Sequence, residues 1–158
     1  MSQNLLARLP QLLPHALAWA AAVEIMGLKT GKPLAVSQKA DASDVGVSDT
    51  ERIRLCLVDA MPAIPNPKLA AAAKEAGLLG PGALGLTLGH AVFILRPYAG
   101  ERHLLRHELR HVAQTERAGG LAAFLSLYLE QVARLGYAQA PLEIDARQHE
   151  RRQQPSTP

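Results

Sequence analysis

Residues 101–118 read ERHLLRHELRHVAQTERA and contain the motif HExxH, which begins at His107 and ends at His111. In a helix, side chains four residues apart lie on the same face, so these two imidazoles are spaced to bind one metal ion. The composition predicts roughly 0.01 chance matches to the motif in the whole chain. We therefore predict that His107 and His111 are metal ligands.

Helical periodicity divides this stretch into faces. Leu105, Leu109 and Val112 define a face directed to the core. An opposite, solvated face is predicted for the polar residues Arg106, Arg110, Gln114 and Arg117. Glu108 shares its row with Leu104 and Val112, where an ordinary solvated glutamate is a poor explanation. A carboxylate beside a metal-activated water can take the water proton, so we predict Glu108 as the general base.

The composition is typical of a globular, helix-rich chain. Of 158 residues, 48% are hydrophobic, 20% are charged and 4% are aromatic. The length predicts one domain over residues 1–152, followed by a frayed tail over 153–158. The net charge is only +3 and the basic residues are interleaved with acids, which disfavours nucleic acid as a partner. Cys56 is the only cysteine, which excludes a disulfide within the chain and predicts a reducing, cytoplasmic location.

The apolar stretch from Leu5 to Leu28 has more than one interpretation. Charged residues and two prolines interrupt it, and no charged segment precedes it, so a signal or membrane anchor is disfavoured. We predict one or two core-packing helices within residues 3–28. Peripheral contact with a membrane surface is the alternative.

Glycines, prolines and periodicity divide the remainder of the chain. We predict a loop over 37–49, a half-buried strand over 52–57 with a helix as the alternative, a helix over 68–76, one bulged strand over 84–95, and helices over 101–118, 120–135 and 141–152. The fold predicted from these elements is α+β and helix-dominated, with a small sheet.

The stretch from Leu84 to Gln148 resembles the HExxH zincin metallopeptidases, in particular the small gluzincins of the minigluzincin type. The matching features are the strand region 86–95, the motif with its extension HVAQ at 111–114, a glycine-started helix at 119, and PLEIDA at 141–146. The resemblance implies zinc as the cofactor and a peptide or protein as the substrate. It also implies that the edge strand of the sheet precedes the motif helix and pairs with an extended peptide, and that the third ligand is a glutamate on a later helix.

The candidates for the third ligand are the acidic and histidine residues downstream of the motif, namely Glu116, Glu130, Glu143, Asp145, His149 and Glu150. Glu116 lies opposite the metal face of the motif helix and cannot reach the metal. Glu143 follows Pro141, a favoured helix-start residue, so its carboxylate stands in a first turn where the helix dipole stabilises it. We predict Glu143 as the third ligand, with Glu130 as the alternative and Asp145 paired with an arginine.

Other side chains have mainly structural interpretations. His103 is predicted to be an ordinary residue of the first helical turn, and His90 is predicted to point outward from its strand to water. Aromatic packing is the predicted role of Tyr128 and of Tyr137, with donation to an oxyanion as the alternative. Cys56 is predicted to be a small buried residue.

These residues together predict a zinc-dependent metallopeptidase that hydrolyses peptide bonds through a metal-activated water. The alternative is a zincin-derived regulatory or interaction module that binds metal without turnover. A third hypothesis is a helical membrane-surface protein in which the motif is accidental.

Overall fold

The computed structural model describes residues 2–152, and the tail predicted over 153–158 lies outside them. Within this range the fold is α+β and helix-dominated, as predicted. The helices are α1 (Ser2–Thr30), α2 (Val36–Asp44), α3 (Pro67–Glu75), α4 (Arg102–Ala118), α5 (Leu121–Leu135) and α6 (Pro141–Gln148). The strands are β1 (Lys32–Pro33), β2 (Arg54–Val58), β3 (Gly85–Leu88) and β4 (Ala91–Leu95).

The four strands form a mixed sheet in the order β1, β2, β4, β3. Strands β2 and β4 are parallel, whereas β3 and β4 form an antiparallel hairpin. The single bulged strand predicted over 84–95 is wrong, because Gly89 adopts a φ of +64° and the chain reverses within two residues. The strand directly before α4 is therefore the interior β4, and β3 is one of the two edge strands of the sheet.

Helix α2 contradicts the loop predicted over residues 37–49. Its residues are rich in Ser, Asp and Ala and lack apolar periodicity, so the local pattern does not indicate a helix. At its start, the side chain of Gln38 accepts a hydrogen bond from the Ala35 N–H at 2.8 Å. Its buried Asp41 binds arginines of α4, and Val45 and Val47 enter the core just after it. These tertiary contacts outweigh the weak local preference.

Helix α4 is enclosed on both sides, which contradicts the solvated face predicted for it. Arg106, Arg110 and Gln114 are buried, and only Arg117 of that predicted face is exposed. The arginines can be buried because α2 and α6 supply carboxylates that neutralise them. The predicted core side of the helix is confirmed, since it buries Leu105, Leu109 and Val112.

Helix α1 continues through Pro10 and Pro14 and packs along α5 and the sheet. Trp19 anchors it, because the indole Nε1 donates to the Ala63 carbonyl at 2.8 Å. The segment Asn4–Thr30 is long and apolar enough to cross a membrane. Core helices and signal sequences share this length and composition, so the feature by itself assigns no location.

Candidate metal centre

The three predicted ligands meet between α4 and α6, and we call His107, His111 and Glu143 the ligand triad. The Nε2 atom of His107 lies 3.1 Å from Oε1 of Glu143, and Nε2 of His111 lies 3.0 Å from Oε2 of the same carboxylate. The candidate ligand atoms all lie within 4.8 Å of one another. All three residues are largely buried, and Glu143 is only 2% exposed. The structure therefore brings the motif histidines and the glutamate of α6 to one point.

The start of α6 places Glu143. Pro141 occupies the first turn, where its missing N–H is no loss to the helix. The Leu142 N–H donates to Oε1 of Gln131 on α5 at 2.9 Å. The Tyr128 hydroxyl, also on α5, donates to Oε2 of Glu143 at 2.8 Å. Helix α5 thus holds the first turn of α6 against the motif face of α4.

The outer ring nitrogens of both motif histidines face hydrogen-bond acceptors. His107 Nδ1 lies 2.9 Å from Oε2 of Glu150, and His111 Nδ1 lies 2.7 Å from Oε1 of Gln114. The orientation of the Gln114 amide is fixed, because its Nε2 donates to a carbonyl and a carboxylate oxygen of α6. Each Nδ1 must then carry a proton, so in the neutral imidazole the Nε2 lone pair is directed at Glu143.

This arrangement suits a shared cation. Lone pairs of two imidazoles and a carboxylate repel one another unless a proton or a metal ion lies between them. Burial opposes protonation of His107, but its hydrogen bonds to Glu143 and Glu150 and the charges of Glu108 and Glu143 outweigh burial and raise its pKa to about 9. Burial also raises the pKa of Glu143, yet hydrogen bonds with His107 and His111 hold that pKa well below its usual range. The triad therefore favours bound positive charge.

The donor set fits zinc. Two imidazoles and one carboxylate form a ligand set that catalytic zinc takes, and three protein ligands leave a coordination position open. The acceptors on the Nδ1 atoms are also the partners that metal-bound histidines need, because they fix the tautomer and the ring orientation. The aromatic rings of Phe124 and Tyr128 pack beside His111, with centroid distances of 6.0 and 5.9 Å, and limit its movement.

Glu108 borders the triad on the side of β3. Its Oε2 accepts a hydrogen bond from the Thr87 hydroxyl at 2.6 Å, and this hydroxyl also lies 2.9 Å from the Glu108 carbonyl oxygen. Gly85 makes room for the carboxylate, since a Cβ atom there would lie 2.8 Å from Oε1. Glu108 is 6% exposed, and its bound partner is a neutral hydroxyl. Strand β3 therefore positions both oxygens of this carboxylate.

The other candidate ligands have different partners. Glu130, the predicted alternative, is exposed on α5 and pairs with Arg134 at 3.1 Å. Asp145 binds Arg110 at 2.7 Å, so the arginine pairing predicted for it is confirmed. Glu116 accepts hydrogen bonds from the main-chain N–H groups that follow Val47.

Glu150 and Gln114 have roles that the sequence interpretation misses. The sequence predicts Glu150 only as one of several candidate ligands, and it predicts a solvated face for Gln114. The signal for Gln114 is its position three residues after His111, a spacing that brings two side chains together on a helix. Glu150 follows the end of α6, so its contact with His107 depends on helix packing, and no local pattern indicates it.

The histidines His90 and His103 are not part of the triad. The outward orientation predicted for His90 is wrong, because it is 7% exposed and its Nε2 lies 2.9 Å from Oε2 of Glu116. The reason is that His90 occupies the hairpin turn and not an alternating strand position. The His103 side chain is 57% exposed and lies near Glu101 at the start of α4, which agrees with its predicted place in the first turn.

A cavity of about 580 Å³ opens on the triad. Its walls come from β3, from the loop around Gly80 and from helices α1, α4, α5 and α6. Tyr128 and Tyr137 both line it, but the Tyr128 hydroxyl is bound to Glu143. Burial, the negative charge of Glu143 and a hydrogen bond with its carboxylate raise the pKa of Tyr137, so its phenol stays protonated and is a hydrogen-bond donor.

Similarity to known proteins adds nothing to this assignment. No family model, no curated protein and no solved structure matches the chain. The interpretation of the site therefore depends on its own geometry and chemistry.

Proposed function

We propose that this protein is a zinc-dependent peptidase of the zincin type. The observation that carries the proposal is the convergence of two Nε2 lone pairs and the Glu143 carboxylate beside a buried proton acceptor, Glu108, in an open cavity. Zinc, when bound, supplies a Lewis acid that polarises a scissile carbonyl and lowers the pKa of water. Hydrolysis of an amide is the reaction that this combination of groups serves best.

Glu108 is the proposed general base. Its carboxylate would accept a proton from the attacking water and deliver that proton to the leaving amine. The Thr87 hydroxyl orients one carboxylate oxygen, and the absence of a side chain at Gly85 leaves space at the other. Tyr137 supports the reaction as a neutral donor in the cavity wall that can stabilise the developing oxyanion.

Strand β3 is the proposed docking edge for the substrate. It is the last strand of the sheet and also lines the cavity. The Leu95 N–H donates to the Leu84 carbonyl, so the alternation of an antiparallel pair directs the main-chain groups of Gly85 and Thr87 to the free edge. An extended peptide that pairs with these groups would lie beside Glu108.

The test is metal content combined with hydrolysis. Protein purified without added zinc should contain about one zinc per chain by mass spectrometry, because three buried ligands hold it. A library of internally quenched peptides should be cleaved, a chelator should stop cleavage, and added zinc should restore it. Zinc without cleavage of any peptide would favour the metal-binding regulatory module, and protein without affinity for zinc would overturn both functions.

A further inference from the structure

Arg147 is the one lysine or arginine among the described residues that line the cavity. The acidic side chains in the same wall are Glu108, Glu143 and Glu150. An anionic group of a ligand is therefore repelled along most of the protein wall and is attracted beside Arg147. The distribution of charge defines a single place where the protein itself favours the anionic part of a substrate.

The contacts of Arg147 leave its charge available. Its side chain donates to the main-chain carbonyl of Ala138, which orients the guanidinium without neutralising it. Glu150 lies three residues further along, but its carboxylate binds a motif histidine. The buried Arg106 and Arg110 differ in this respect, because aspartates neutralise both of them.

The position of Arg147 relates it to the proposed reaction. It lies four residues after Glu143 on α6, so the two side chains occupy the same face of the helix, with Cβ atoms about 5 to 6 Å apart. An extended peptide residue spans about 3.3 to 3.6 Å. A group bound by Arg147 therefore belongs to the substrate residue at the scissile bond or to one within about two residues of it.

We propose that Arg147 binds a carboxylate of the substrate, which is either the C-terminal carboxylate of the peptide or the side chain of an Asp or Glu near the scissile bond. The planar guanidinium can bind a carboxylate through two parallel N–H···O hydrogen bonds. This inference depends on the proposed peptidase function and specifies its substrate class as anionic peptides.

Binding can be measured apart from hydrolysis with zinc-loaded Glu108→Gln protein, which retains the cavity and lacks the proposed base. The probes are short peptide pools with a neutral dye at the N-terminus, read by fluorescence polarisation. In the first pair, one pool has free C-termini and the other has amidated C-termini. In the second pair, one pool contains Asp and Glu where the other contains Asn and Gln. The pair that shows a preference identifies the source of the carboxylate, and we expect a preference of about ten- to a hundredfold.

Variants of Arg147 assign the preference to its side chain. In Arg147→Gln the ratio of affinities for the two members of the pair should fall close to one. Arg147→Lys should retain part of the preference because the charge remains. Arg117→Gln is the matched control, since Arg117 is exposed on α4 and does not line the cavity. In protein with Glu108 intact, the kcat/KM values for cleavage of the two pools should differ by the same ratio as their affinities.

Three results would overturn the assignment of Arg147. One is equal binding of both members of each pair, another is no binding of any pool, and the third is a preference that survives Arg147→Gln because the carboxylate binds the metal instead. Zinc content and chelator-sensitive cleavage are measured separately, so any of these results can occur while the proposed peptidase function stands. If binding shows a carboxylate preference that depends on Arg147, but the wild-type protein cleaves no peptide, the binding site would be supported and the peptidase function overturned.

Discussion

The two sides of helix α4 are both polar and both buried, yet they differ in how their charges are satisfied. On the side facing α2 and α6, Arg106 and Arg110 donate to aspartates at 2.6 to 2.9 Å. On the side facing the cavity, the Nε2 atoms of His107 and His111 both face the Glu143 carboxylate, whose protein donor is the neutral Tyr128 hydroxyl. The charges of the first side are neutralised within the protein, whereas on the second side we propose that a metal ion supplies the positive charge.

This difference separates stability from function within a single helix. Buried ion pairs that are fully neutralised hold α2, α4 and α6 together, and removal of one member leaves a buried charge with fewer partners. A cluster of acceptors beside a cavity costs free energy in the absence of a cation, so we expect it to serve the proposed metal binding and not the stability of the fold. Mutations on the two sides should therefore change different measurements.

The largest effect is expected for Glu143→Ala. It removes the carboxylate shared by both histidines, so zinc affinity should fall by more than about 100-fold and cleavage should stop. Competition with a chromogenic chelator measures the affinity. Glu130→Ala is the matched control because this glutamate is exposed on α5, and it should retain stoichiometric zinc. Zinc loss in the control with retention in Glu143→Ala would reverse the assignment of the third ligand.

Glu108→Gln should separate the base from the ligands. The amide keeps the shape of the side chain and can still accept the Thr87 hydrogen bond, but it cannot take a proton. Cleavage should fall by about 10²- to 10⁴-fold while zinc content and melting temperature stay close to those of the wild type. Cleavage at the wild-type rate would remove Glu108 from the mechanism.

The residues on the cavity side could be predicted because their signals are local. His107, Glu108 and His111 follow from a spacing of one helical turn, and Glu143 follows from its place after Pro141 at a helix start. The structure brings the three predicted ligands together. Local spacing is sufficient to identify these groups, although side chains of other elements, such as Tyr128 and Thr87, complete their orientation.

The opposite side could not be predicted because its partners are distant in the chain. Arg106 and Asp41 are 65 residues apart, and Asp41 belongs to a segment without apolar periodicity. An arginine on a helix is exposed by default, so only knowledge of the packing of α2 would indicate its burial. The contact between Glu150 and His107 was missed for the same reason, since it spans 43 residues.

On the packed side, Arg106→Met should lower the free energy of unfolding by about 1 to 3 kcal/mol, because Asp44 loses its buried partner and Asp41 keeps only Arg102. Arg102→Met is a close comparison, since Arg102 binds the same Asp41 but is 67% exposed. Its effect should be much smaller because water screens an exposed ion pair. Urea denaturation measures the free energy of unfolding of both variants. Equal decreases would mean that the burial of Arg106 adds nothing to the stabilisation by its ion pairs.

Glu150→Ala should weaken zinc binding by about 10- to 100-fold without removing a ligand, because His107 loses the acceptor that fixes its ring. Glu150→Gln should recover much of the affinity, since its amide oxygen can still accept from Nδ1. The free energy of unfolding of the metal-free protein should change little in either variant. Equal zinc affinity in all three proteins would show that the contact does not position His107.

The smallest effect is expected for Asp41→Asn, and it depends on pH. Hydrogen bonds from Arg102 hold the pKa of Asp41 below its ordinary value of 3.8, with a further contribution from Arg106, while burial opposes both. Because the folded-state pKa is the lower one, the stabilisation is complete above about pH 5 and is lost as the pH falls below 3.8 toward the folded-state value. The free energy of unfolding of the wild type should exceed that of Asp41→Asn by about 1 kcal/mol at pH 7. This difference should shrink as the pH decreases to 3. Urea denaturation at a series of pH values measures it, and a difference that grows on acidification would contradict the depressed pKa and the role of Asp41 in holding α2 against α4.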